Sequence, residues 1–167
     1  MAKEWKGLEY FRMELQETLG ELLAAGLEPT VKGLLVRLIE NRGIWMNYAF
    51  LQGDENMRGL YVDMRGEGLR QMIYIKPGQS EEQELATLTH ELAHYFTLPA
   101  GLTGFSEQRR KSEEQWADVL GSQLLQATRE TLENYYQHGF STVDGAQTLR
   151  SFVISMAKDA AAKAENI

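Results

Sequence analysis

Apolar residues recur at helical spacing from Trp5 to about Leu27, through Leu8, Phe11, Leu15, Leu19 and Leu22, with Glu and Lys between them, and this predicts a first helix. Pro29 suits a helix start, and Val31, Leu34, Leu35, Leu38 and Ile39 keep the same period until Asn41-Arg42-Gly43 supplies a stop. The pattern then changes. Ile44 to Phe50 is rich in β-branched and aromatic residues and is followed by a polar turn at 52–56, which reads as a strand and a loop. Gly59–Met64 and Gln71–Lys76 read as two more strands, joined across Arg65-Gly66-Glu67-Gly68 and closed by Pro77-Gly78. Three successive strands suggest a small antiparallel meander. Helical patterning resumes from Ser80 to Leu98, from near Ser106 to Tyr136, and from about Val143 to Lys163, where Leu149, Phe152, Val153 and Met156 share a face. Between the first two of these, Pro99 to Gly104 is a turn-rich connector that reverses the chain. The expected class is α+β, a helical core with a small antiparallel sheet of about three strands, in a single domain over residues 1–167.

Composition narrows the possible functions. A 43% apolar and 10% aromatic content can fill one core in 167 residues. The net charge of −7, and an Arg109-Arg110-Lys111 run flanked by Glu107 and Glu113, argue against a nucleic-acid surface, which needs clustered cations. With no Cys, disulfides and thiolate metal ligands are excluded, and any metal must sit on His and carboxylate. No stretch approaches the about 18 apolar residues of a membrane span, and the first residues do not resemble a signal peptide. A cytoplasmic location is expected.

The Ser80–Leu98 segment carries His90-Glu91-Leu92-Ala93-His94, the HExxH pattern. Ser80 and Gln83 form a capping-box pair, Glu81, Glu82 and Glu84 occupy the first turn, and Pro99 follows the end, so the motif falls on a well-delimited helix. Residues four apart share a helix face, and His90 and His94 can each give a ring nitrogen to one metal ion. Glu91 points elsewhere and is placed to take a proton from the attacking water instead of binding the metal.

Two His cannot complete a catalytic zinc site, which takes three protein ligands. His138 lies beyond a long helix and lacks the close spacing of a third His in metzincin-type sites. In Glu113-Glu114-Gln115-Trp116-Ala117-Asp118, Glu114 and Asp118 share a face. Taken alone they read as solvated acids. With HExxH upstream, Glu114 becomes the candidate third ligand. Asp118, one turn on, could accept from the far ring nitrogen of a ligand His. Glu113 points about 100° away from Glu114 and is set aside. Tyr95, Tyr135, Tyr136 and His138 are weaker candidates for donating to an oxyanion.

HExxH followed by Glu-x-x-Ala-Asp resembles gluzincin peptidases, and in its small size the ImmA/IrrE-type zinc peptidases. The resemblance runs from about Ile73 to Leu125, with Glu114, Ala117, Leu124 and Leu125 on matching positions and Asp118 where the family usually has Asn. Leu120, Gly121, Gln126 and Ala127 depart from the pattern. The resemblance implies a zincin-type helical core with HExxH on its central helix, one zinc ion per chain held by His90, His94 and Glu114, and Glu91 as general base and acid. It implies a protein or peptide substrate, in this family a DNA-binding repressor whose cleavage switches on mobile-element or stress genes. An extended peptide could add to the edge of the sheet, for which the Met72–Lys76 strand is the expected site. The competing readings are a non-catalytic interaction domain stabilised by zinc and an antirestriction or toxin-like accessory protein.

Overall fold

The computed structural model describes residues 5–50, 57–63, 68, 70–97 and 107–140, with side chains omitted at 107–109. The first helix, α1 (Leu8–Ala24), buries Phe11, Leu15 and Leu19 on the stripe its periodicity set out. In α2 (Val31–Asn41), Thr30 is the N-cap and its Oγ1 accepts from the Gly33 N–H at 2.9 Å. At the other end the chain turns through Gly43, with φ 75°, while the Ile44 N–H donates to Ile39 O at 3.2 Å and the Gly43 N–H to Glu40 O at 2.9 Å. Only glycine adopts that backbone without strain, and the turn points Ile44 into the core and starts the first strand.

The three strands are β1 (Trp45–Tyr48), β2 (Gly59–Asp63) and β3 (Gln71–Ile75), in the order β1-β3-β2. β2 pairs antiparallel with β3, Tyr61 opposite Ile73, whereas β1 runs parallel to β3, Met46 opposite Ile73. The sheet is therefore mixed, and the expected meander does not form. Alternation tells which side chains face the core but not which strand lies beside which. β3 carries the deepest apolar pair, Ile73 and Ile75, and takes the centre; β1, with three of its four residues exposed, is left on one edge. One consequence reaches the function. The Met72–Lys76 segment has a neighbour on each side and offers no edge to a peptide, so that docking site is overturned.

Beyond the sheet come α3 (Glu81–Thr97) and α4 (Glu107–His138), which pack along each other. Leu88 and Leu92 of α3 and Leu120 and Leu124 of α4 close the core against Leu34, Leu35, Leu38 and Ile39 of α2. The fold is α+β, with the HExxH helix between the sheet and α4. The helix expected over 143–163, the turn at 52–56 and the connector at 99–104 lie outside the described residues.

Candidate active site

The start of α3 is capped as its sequence suggests. Ser80 Oγ accepts from the Gln83 N–H at 3.3 Å, and Thr87 Oγ1 donates back to Gln83 O at 2.8 Å. Leu85, Leu88 and Leu92 turn to the core, so Thr87, His90, Glu91 and His94 are carried toward β2 and α4.

Two glycines set how closely those neighbours approach. A Cβ at Gly59 would lie 2.6 Å from Thr87 Cγ2 and 3.1 Å from Glu91 Cγ, so β2 can pass over α3 at this height only with glycine there. The close pass buries Glu91, which is 6% exposed. A Cβ at Gly121 would lie 3.1 Å from both Cα and N of His90, so α4 rests directly on the α3 backbone at the first motif histidine. Glu114 and Asp118 stand on the same side of α4 as Gly121 and reach over His90. An interior glycine costs a helix about 1 kcal/mol relative to Ala, and here it is what permits the contact.

The resulting geometry is close. His90 Nε2 lies 2.9 Å from Glu114 Oε2, and His94 Nε2 lies 3.1 Å from Glu114 Oε1. His90 Nδ1 lies 2.8 Å from Asp118 Oδ1, and the two imidazoles meet edge to face with centroids 4.8 Å apart. Both nitrogens of His90 thus face carboxylate oxygens. A neutral ring can donate from only one of them, so the second contact calls for another proton or for a cation between the groups. Among the described residues, His90, His94 and Glu114 form the group able to hold a metal ion, their donor atoms lying within 4.8 Å of one another. Two imidazoles and a carboxylate fit zinc, with Asp118 in place to fix the His90 ring.

Electrostatics distinguish Glu91 from its neighbours. Burial pushes its carboxyl up to about 7, with the His90 charge and the Tyr61 backbone N–H opposing the shift and the Glu114 charge adding to it. His94 is pushed below the ordinary histidine range by burial, against the pull of Glu114.

These groups line a cleft of about 590 Å³ whose other wall is Met57 to Tyr61, the beginning and edge of β2. Lys76 N–H donates to Arg58 O at 2.8 Å, so by antiparallel alternation Leu60 and Val62 turn their backbone groups toward β3. Gly59, Tyr61 and Asp63 turn theirs outward. Arg110, one turn before Glu114, and Glu113 also line the cleft. Neither was singled out by sequence, although the spacing of Arg110 to Glu114 was a usable signal, as was an isolated Gly59 opening a strand.

The weaker candidates fall elsewhere. Tyr95 OH accepts from Arg42 Nη1 at 3.1 Å, within a cluster where Arg42 also pairs with Glu14 and stacks on Phe96. Tyr136 OH donates to Pro29 O at 2.8 Å. Tyr135 and His138 border a different cavity, between α1 and α4.

An HExxH helix crossed by a carboxylate-bearing helix, beside the edge strand of a small sheet, is the arrangement of a peptidase-type metal centre. The chain belongs to the M78 peptidase family: residues 39–150 match its model, described as an IrrE N-terminal-like domain. No curated protein and no solved structure matches the chain. Membership makes it a chain of peptidase type acting on protein or peptide. Among the described residues no helix is long and apolar enough to cross a membrane.

Proposed function

We propose that this chain is a zinc-dependent, gluzincin-like peptidase. The observation that carries the reading is His90 held between two carboxylates, with the buried Glu91 beside it in the same cleft. His90, His94 and Glu114 would hold the ion. When bound, zinc supplies a Lewis acid that polarises a carbonyl and acidifies water. Asp118 keeps the His90 ring turned so that Nε2 faces the ligand group. Glu91 serves as the proton carrier, accepting from the attacking water and delivering to the leaving nitrogen. Burial raises the Glu91 carboxyl above the ordinary carboxylate range in the metal-free site, which favours its holding a proton between the two halves of that task.

Substrate is proposed to bind as an extended strand along the outer edge of β2, which among the described residues has β3 as its one strand neighbour and whose Gly59 lines the cleft. The proposed physiological substrate is a repressor-like regulatory protein cut at one site, in the cytoplasm.

The test is Glu91→Gln, which keeps size and polarity but removes the proton acceptor. It is expected to fold, to retain one zinc per chain, and to leave targets in a lysate uncut. Cleavage at the wild-type rate by Glu91→Gln overturns the mechanism. A wild-type chain that binds zinc but cuts nothing points instead to a non-catalytic interaction domain. Substrate trapped on Glu91→Gln should slow amide exchange on the outer edge of β2 at Gly59, and unchanged exchange there would exclude docking on β2.

A further inference from the structure

His90 and His94 are treated unequally by the described residues. Both nitrogens of His90 have carboxylate partners, Glu114 on Nε2 and Asp118 on Nδ1. His94 has Glu114 on Nε2, but its Nδ1 is buried with no hydrogen-bond partner. An imidazole that binds a metal through Nε2 carries its proton on Nδ1, and a buried N–H left unsatisfied costs about 1–3 kcal/mol. A donor in that position should have an acceptor.

An acceptor in the same condition lines the same cleft. Glu113 Oε2 is buried and also has no hydrogen-bond partner. The course of the helices brings the two residues together. Gly121 of α4 rests on the α3 backbone at His90, and Glu114, earlier in α4, reaches both His90 and His94. α4 therefore runs back along α3, and the residues before Glu114 face those after His90. Glu113 is placed on the His94 side.

We propose that Glu113 is the positioning residue for His94, its carboxylate accepting from the Nδ1–H directly or across one water, as Asp118 accepts from His90. The inference rests on the reading of His90, His94 and Glu114 as metal ligands. It gives the tandem Glu113-Glu114 a division of labour, one carboxylate on the ion and the other on a ligand ring. The neutral tautomer of each histidine is then fixed by a separate carboxylate from α4.

Zinc affinity, measured by competition with a chromogenic chelator, and the visible spectrum of the cobalt(II)-loaded chain test this without recourse to activity. Glu113→Ala is expected to weaken zinc binding by about 10–100-fold and to alter the cobalt bands, alongside a comparable loss for Asp118→Ala. Glu113→Gln retains an acceptor oxygen and is expected to recover the greater part of the affinity, which a packing role for the charge would not. Far-UV circular dichroism verifies folding of each variant. If Glu113→Ala does not fold, Glu113→Asp, which draws the carboxylate back by one methylene, takes its place with the same expected loss. Wild-type affinity and an unchanged cobalt spectrum for the folded variant, with His90→Ala and Glu114→Ala still losing zinc, overturn the role of Glu113 and leave the ligand set standing. A wild-type chain that takes up no zinc overturns both.

Discussion

Glu91 and Asp118 show how far two carboxylates beside one candidate metal site can differ in environment. Asp118 has a side chain 75% exposed and serves by direction, aimed at His90 Nδ1. Removing it takes away an orienting bond and no ligand, so Asp118→Ala is expected to lower zinc affinity by about 10–100-fold without abolishing it. Chelator competition measures this, and an unchanged affinity would return Asp118 to the solvated surface. Glu91 is buried, and its pKa stands at about 7 against an ordinary 4.5. In chelated protein this has a definite sign. Below about pH 4.5 the group is protonated folded or unfolded and costs nothing extra; between there and pH 7 the unfolded chain ionises more readily, and stability is lost as pH rises. The loss levels off above pH 7 at about 3 kcal/mol. Glu91→Gln escapes it, so its stability relative to wild type should grow from pH 5 to pH 8 in urea unfolding with chelator present. A difference independent of pH would mean the carboxyl is not held up by burial.

For the elements, the decisive features are the two points where backbones nearly touch. At Gly59 the obstacle to a larger residue is the Thr87 methyl, a side-chain group. Gly59→Ala is expected to cost about 1–3 kcal/mol through overpacking, and Thr87→Ser in the same chain should recover part of that. Additive losses in the double variant would show that the methyl is not the obstacle. At Gly121 the obstacle is the backbone of His90, which cannot rotate away. Gly121→Ala gains up to about 1 kcal/mol in helix propensity but lifts α4 from α3. Thermal stability should change little while zinc affinity falls, because Glu114 and Asp118 are displaced together. An Ala variant with full affinity would show that the helices tolerate the added methyl.

On the scale of the whole molecule, the core and the site share helices but few residues. Phe11, Leu15, Leu34, Leu38, Ile73 and Leu120 are fully buried away from the cleft, whereas His90, His94 and Glu114 line it, with the Glu114 side chain 55% exposed. A zinc ion here would tie α3 to α4 without being the reason they fold. Chelation is accordingly expected to lower the melting temperature, by the equivalent of about 4 kcal/mol at a free zinc concentration 1,000 times Kd, and to leave helical circular dichroism intact. Loss of helical signal on chelation would make the metal structural, as in chains that unfold without it.

The four described helices, the strand segments and the placement of the His90-Glu91-His94 motif on a helix were legible because each depends on local periodicity, caps and residues four apart. Glu114 and Asp118 could be picked out as candidates from their own spacing, and α4 brings both against His90. The neighbour of each strand could not be read in this way, since alternation is the same whichever edge a strand joins; hence β1 lies parallel beside β3, and β2, not β3, borders the cleft. The roles of Gly59 and Gly121 were equally hidden, because a missing Cβ has meaning only against the atom it would strike. Glu113 was set aside by helical angle alone, and it joins the cleft because α4 crosses α3 closely enough for two adjacent positions to face it. Sequence determined which donor groups this protein carries on α3 and α4. Tertiary packing decided which of them are buried, oriented and next to β2, because burial and approach are properties of pairs of elements.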